Sequence, residues 1–277
     1  MKKLASKKIN FLVKKFLWHS GLGNLHDIAV EGYWNHLAVN TKNPLLNPIE
    51  SYFSQSDEDG IIGRISQRIG INKGKFIELG VGDGLENNTL ALCLGGWDGL
   101  WFGGQDLNHP KKFELPSNLQ FTKVWVDQDS LHQEIIPTIQ NYGDIDLLSL
   151  DLDGNDFYFA SEILESGIRP KIWVQEYNGN IPPQIEWVQE YNPSHSWQED
   201  AYFGASLASY NKLFELHDYK LVACNLLGVN AFFVRSDFSK FFEDTPKTLY
   251  ETFYPARPIF RKMKQTPSPL AYLKRRR

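Results

Sequence analysis

The stretch Phe76-Ile77-Glu78-Leu79-Gly80-Val81-Gly82-Asp83-Gly84 decides the fold. A short apolar run carrying an acid passes into G-x-G-x-G, and a helical stretch near Asn88 to Leu94 follows. Strand, glycine turn and helix in that order let the backbone pass close beneath a ligand, because glycine has no Cβ to collide with it. The turn reads as a cofactor seat. A dinucleotide fingerprint needs its third glycine at position 85, and the chain has Leu85 there.

Outward from the turn, short apolar runs alternate with helical stretches. The pattern predicts strands over Lys75 to Leu79, Gly99 to Phe102, Phe121 to Val126, Ile145 to Leu150 and Lys171 to Glu176. Helices are expected over Ser54 to Gly70 and near Ser130 to Gln140, Asp156 to Glu165 and Ala205 to Leu216. Such alternation implies a parallel sheet covered on both faces. Tyr219 to Cys224 and Val229 to Arg235 are joined only by Asn225-Leu226-Leu227-Gly228, too short for a parallel crossover, so they form an antiparallel hairpin. Residues 21 to 50, punctuated by Asn40, Asn43, Pro44, Asn47 and Pro48, read as an irregular lead-in. The organisation expected is a basic, partly helical extension over 1–50, one α/β domain over 51–240 and a basic tail over 241–277.

Of 277 residues, 42% are hydrophobic and 14% aromatic, enough for a substantial core. Two cysteines, Cys93 and Cys224, make neither a disulfide framework nor a four-thiolate metal site, and the expected setting is reducing and cytoplasmic. No run reaches the roughly 20 apolar residues of a spanning helix. The net charge of −4 hides an asymmetry: residues 1–15 carry six Lys and residues 257–277 eight Lys or Arg, leaving 15 basic and 33 acidic residues between them. An acidic body argues against nucleic acid as a partner. Leu4, Phe11, Leu12, Phe16, Leu17 and Trp18 interleave with lysines, which with Lys274 to Arg277 allows peripheral contact with an anionic inner-membrane surface or a merely solvated tail. Oligomeric state is not legible.

The segments Ser54-Gln55 to Ile62, FIELGVGDGLENNT (76–89), GWDGLW (96–101), LLSLDLDGNDFY (147–158), VQEYN (174–178), GASL (204–207) and GVNAFFVR (228–235) resemble a subgroup of FkbM-like methyltransferases dependent on S-adenosylmethionine (SAM). The resemblance implies a Rossmann-like class I methyltransferase fold, an α/β architecture whose mostly parallel sheet of seven-stranded type ends in an antiparallel hairpin. It implies methyl transfer to an oxygen of a saccharide or other small hydroxylated acceptor. By the same resemblance Glu78, Gly80, Gly82 and Gly84 line the methionine portion of SAM. Similar sequences carry a ribose-binding Glu after the second strand; this chain has Gly103, which leaves Gln105 or Asp106 to reach the ribose, with Gln128 and Asp129 at the adenine edge.

The fourth strand ends in Asp151-Leu152-Asp153-Gly154-Asn155-Asp156 and the fifth in Glu176-Tyr177-Asn178, at the edge where open α/β sheets bind ligands. Carboxylates so close call for a cation or a shared proton. The arrangement is similar to metal-dependent O-methyltransferases, which implies Mg²⁺ on Asp151, Glu176 and Asn178 with Asp153 in reserve; their usual Lys falls on Gly154. Helix capping by Asp153 or Asn155, and metal-free binding of acceptor hydroxyls by Glu176, stand as the alternatives. The long loop from Tyr177 to Phe203 reads as a lid or binding loop, and its His195 is a candidate general base beside Asp151 and Asp153. Two rival functions remain: a metal-dependent sugar-nucleotide transferase using the D-x-D of Asp151 and Asp153, or an inactive binding module that keeps the fold.

Overall fold

The structure, a computed structural model, describes residues 22–108, 115–195, 197 and 200–257. The amphipathic basic segment before residue 22 and the run Lys274 to Arg277 lie outside the described residues.

Seven strands form one sheet: β1 Lys75–Leu79, β2 Asp98–Gly103, β3 Leu119–Lys123, β4 Leu147–Leu150, β5 Ile172–Glu176, β6 Tyr219–Cys224 and β7 Asn230–Arg235. Their order is β3-β2-β1-β4-β5-β7-β6. All neighbouring pairs among β1 to β5 are parallel, and β7 runs antiparallel to both β5 and β6. The hairpin is therefore folded so that its second strand inserts between β5 and β6. This is the Rossmann-like class I methyltransferase arrangement, and the strand order reverses at β1, beside the glycine turn.

Period-two alternation sends each strand's side chains to two cores. Phe76, Trp101, Leu147, Val174 and Phe232 face one layer with α2 (Glu58–Arg68) and α3 (Leu90–Leu94), while Ile77, Leu148, Trp173 and Phe233 face the other. That second layer holds α5 (Asp156–Glu165), α6 (Leu207–Leu216) and a composite helix α4 over residues 128–142. α4 opens with a capping box between Asp127 and Ser130 and widens into a π turn, Leu131–Ile135, just before Pro137. Proline has no N–H for the regular ladder, which accounts for a widened turn at that point. Each large apolar side chain taken fully out of water contributes about 1.5–3 kcal/mol, and both faces of the sheet are dense with them. Cys93 and Cys224 are buried free thiols within these cores.

Two expectations are corrected. Leu22–Asn40 is a regular helix, α1, where an irregular lead-in was expected. The asparagines and prolines that suggested irregularity begin only at Asn40, and upstream of them Val30, Trp34 and Ala38 recur every four residues and are buried. The third strand lies over Leu119–Lys123 instead of Phe121 to Val126, because beyond Lys123 the chain leaves the ladder and Trp125 is exposed. After β7 come a 3₁₀ segment, Ser236–Phe242, a short helix α7, Leu249–Thr252, and a strap to Arg257. The strap lies over the ligand edge: Tyr177 Oη donates to the Tyr254 carbonyl (2.6 Å) and Ala256 N to that of Gly179 (3.0 Å). No described helix is long and apolar enough to cross a membrane.

Candidate functional site

The glycine turn sits where β1 leaves the sheet. Gly80 N and Val81 N both donate to the Phe102 carbonyl, at 2.9 and 3.3 Å, which folds the turn back over the end of β2. Gly80 has φ +95° and a Cβ there would overlap the Asp151 carbonyl oxygen, so the ends of β1 and β4 touch only because position 80 is glycine. Gly82 also has positive φ, +55°, but a Cβ there meets nothing within 4 Å. The turn is thus packed below and open above. Gly84 N closes it on the Val81 carbonyl (2.9 Å), and Asn108 N ties the segment after β2 to the Asp83 carbonyl (2.7 Å).

Glu78 lies below the turn, buried, and its carboxylate faces the protein. It accepts from Asn88 N (3.0 Å), Thr89 N (3.3 Å) and Thr89 Oγ1, and the Thr89 hydroxyl in turn accepts from Trp101 Nε1 (2.8 Å). Burial pushes the Glu78 carboxyl above the usual range, against the pull of these donors. Its visible role is to hold the residues between the glycine turn and α3.

At the end of β2, Gly103 approaches the turn closely: a Cβ there would stand 2.8 Å from Val81 Cγ2. The valine side chain occupies the volume a larger residue at 103 would enter. Gln105 and Asp106 are exposed, and Asp106 pairs with Lys123 Nζ at 2.6 Å. Gln128 and Asp129 are exposed at the start of α4, where Gln128 Nε2 donates to Glu162 Oε1 (3.0 Å).

Strand register builds the acidic part. Leu150 pairs with Gln175 and Glu176 with Asn230, so Asp151, Glu176 and Asn230 form one rung across β4, β5 and β7 on a common face. Ligand oxygens of Asp151, Asp153 and Glu176 lie within 4.8 Å of one another. Glu176 is 7% exposed, and its Oε2 has no hydrogen-bond partner among the described residues. Burial first, then the charges of Asp151, Asp153 and Asp156, hold its carboxyl well above the usual value. Asp156 shapes the loop: its oxygens accept from Leu152 N (2.7 Å) and Gly154 N (2.8 Å), and burial raises it to about 6. A polar atom so buried and unpartnered, beside two carboxylates, is a donor set suited to a hard cation.

Asn178 stands apart from that set. Its amide donates to the carbonyls of Ala201 (2.9 Å) and Phe203 (3.0 Å), and its oxygen accepts from Asn180 N (3.1 Å) and Nδ2 (3.0 Å). It fastens both ends of the long loop, and the oxygen donor brought to Asp151 and Glu176 is Asp153. His195 does come to the acidic loop: its Nε2 lies 3.1 Å from the Asp153 carbonyl and its ring packs against Gly154. The loop is pinned to α5, since Asn155 bonds both N and O of Asn192 (3.1 and 2.7 Å) and the Tyr158 hydroxyl donates to the Gln189 carbonyl (2.9 Å).

Two features escaped the sequence reading. Asn87 and Asn230 are buried with Oδ1 atoms that have no hydrogen-bond partner among the described residues, one beside the glycine turn and one on the rung. Ser56, Glu58, Asn225 and Asn230 form a buried network that joins the start of α2 to the hairpin, with Asn225 Nδ2 at 2.9 Å from Ser56 Oγ and 2.7 Å from Glu58 Oε1. Asn225 in a short turn was the one available signal.

No family model matches the chain, and no curated protein matches it by sequence. Solved structures similar to it include an S-adenosyl-L-methionine methyl transferase from Silicibacter pomeroyi DSS-3, at 15% identity over 62% of this chain and 87% of that one, TM-score 0.35. A second is the methyltransferase PaMTH1 of Podospora anserina bound to SAH, at 11% identity over 75% of this chain and 87% of that one, TM-score 0.39. A third is human N-acetylserotonin methyltransferase in complex with SAM, at 13% identity over 74% of this chain and 66% of that one, TM-score 0.37. The likeness is loose, and the fold assignment rests on the order and direction of the seven strands.

Proposed function

We propose that the protein is a SAM-dependent methyltransferase acting on an oxygen of a small hydroxylated acceptor, a saccharide or other polyol. The observation that carries this reading is the juxtaposition at one sheet edge of a glycine turn open above Gly82 and the carboxyl group cluster of Asp151, Asp153 and Glu176. The resemblance of the chain's motifs to FkbM-like methyltransferases supports it. The turn fits the amino-acid half of SAM, with Gly82 leaving backbone accessible and Gly80 and Gly84 giving the turn its shape; SAM would supply an electrophilic methyl group. Glu78 keeps the turn and α3 in register, and Asp151, Asp153 and Glu176 orient the acceptor hydroxyl, directly or through Mg²⁺, for which their oxygens are a fitting set. His195 is the candidate base: with its Nε2 donating to the Asp153 carbonyl, Nδ1 is the nitrogen left to take the hydroxyl proton.

A second reading has its own observation. Gly103 replaces the ribose-binding acid of the resembling sequences and Val81 closes the space beside it, which favours a module that binds a different ligand at the same edge. Calorimetric titration with SAM and with S-adenosylhomocysteine, each with and without Mg²⁺, separates the two. Binding of either supports the methyltransferase reading, and Asp151→Asn then abolishes any Mg²⁺ dependence. Silence under all four conditions removes it.

A further inference from the structure

The rung across β4, β5 and β7 carries an amide oxygen beside its carboxyl groups. Tyr177 N donates to the Val229 carbonyl (2.8 Å), so the hydrogen-bonded position of β5 and β7 falls at 177 and 229, and the pair next to it, Glu176 with Asn230, is the non-hydrogen-bonded one. In antiparallel strands that pair stands closer, with its two side chains side by side on one face. The Asn230 amide is held from behind. Its Nδ2 donates to Glu58 Oε1 (3.3 Å), and the same carboxylate receives Ser56 N (2.7 Å), Ser56 Oγ (3.0 Å) and Asn225 Nδ2 (2.7 Å). Asn225 is fixed in turn, since its Oδ1 accepts from Val229 N (2.8 Å) and Asn230 N (2.9 Å). Turned over, the Asn230 amide would set its oxygen against the Glu58 carboxylate, so Oδ1 stays on the branch pointing away from Glu58. Asn230 is 2% exposed, and this Oδ1 has no hydrogen-bond partner among the described residues, as is also true of Glu176 Oε2 on the opposite strand.

We infer that Asn230 Oδ1 is a ligand oxygen for a hard divalent cation shared with Asp151, Asp153 and Glu176, and that the buried network around Glu58 holds the amide in its ligating orientation. A hydroxyl brings one hydrogen and satisfies one of the two orphaned acceptors, whereas a cation satisfies both and offsets the carboxylates around them. Carboxylate and amide-carbonyl oxygens together are what such ions take, with the remaining positions left to water or to an acceptor oxygen. On the reading of this edge as the reaction site, on which the inference rests, the cation lies toward β5 and β7 and leaves the glycine turn to the methyl donor.

The test is titration of the full chain with Mn²⁺, followed by calorimetry and by the change in melting temperature, with SAM titrated separately into the same preparations. The parent is expected to bind Mn²⁺, and Asn230→Ala to bind it about tenfold or more weakly. Asn230→Asp sets a carboxylate against Glu58; it is expected to lose stability without metal and to gain more in melting temperature from Mn²⁺ than the parent does, because an ion bound only by the folded chain shifts unfolding by mass action. That second measurement reads the site even where a variant is barely folded. No binding of Mn²⁺ by the parent, parent affinity in a folded Asn230→Ala, or a gain in Asn230→Asp no larger than the parent's would each overturn the inference. Binding of Mn²⁺ with silence toward SAM would instead remove the methyltransferase reading and leave the cation site standing.

Discussion

Val81 and Gly103 show how one residue fixes what its neighbour can be. A side chain at 103 must displace Val81 Cγ2, so Gly103→Glu alone is expected to destabilise the fold by about 1–3 kcal/mol through overpacking and to leave SAM affinity no better than in the parent. Combining it with Val81→Ala removes the obstructing methyl groups; the double variant is expected to regain most of that stability and to bind SAM several-fold tighter. Denaturant melts and calorimetry on both variants decide it, and tightening by the single change would show that Val81 yields freely. The glycines of the turn were legible because strand, turn and helix each leave a sequence mark. The orientation of Glu78 was not, since an acid near a strand end reads alike whether it faces a ligand or, as here, the backbone of Asn88 and Thr89.

Among elements, all seven strands were legible in the sequence, the third displaced by two to three residues, because the apolar runs are bounded by turns and most are joined by helical stretches or a four-residue link. α1 was obscured by the asparagines and prolines after it. The long loop was legible as a binding loop, yet not as a fastened one, because its ties run between residues far apart in sequence, such as Asn155 with Asn192 and Asn178 with Ala201 and Phe203. By spacing alone an amide beside an acidic strand end reads as a metal donor, whereas the Asn178 side chain makes four hydrogen bonds within its own loop. Asn178→Ala is expected to cost about 1–3 kcal/mol by removing four part-buried hydrogen bonds, and to speed amide exchange in the loop more than in β1 or β4. Exchange rates monitored by mass spectrometry check this. Uniform protection across loop and strands would mean that the contacts of Asn155 and Tyr158 hold the loop without it.

At the scale of the whole molecule, buried carboxyls set the response to pH. Burial, followed by the charge of Glu58, raises Asp57 to about 7, and burial raises Asp156 to about 6 despite two backbone donors. Glu176 is held well above the usual value, and Glu78 and Asp59 are raised by burial too. In the unfolded chain aspartates and glutamates titrate near about 4, so between that value and about 7 the folded protein binds more protons than the unfolded one. Stability from these groups is complete below the unfolded values and is lost as pH rises through the folded ones. Asp237 and Asp244, lowered by Arg235 and Arg68, act in the opposite sense, but those pairs are partly exposed and contribute little. Self-repulsion of the acidic body adds to the loss at higher pH. The melting temperature is therefore expected to fall by several degrees between about pH 5 and pH 8, each kcal/mol amounting to about 2–4 °C for a chain of this size. Asp57→Asn is expected to flatten the upper part of that fall, since an amide there keeps acceptor contacts with Ser56 and Leu226 and has no proton to lose. Calorimetric melts across the range measure both slopes. A melting temperature that rises with pH would mean that these carboxyls are ionised in the folded protein, and that a compensating charge, such as a cation at the rung of Asp151 and Glu176, holds them so.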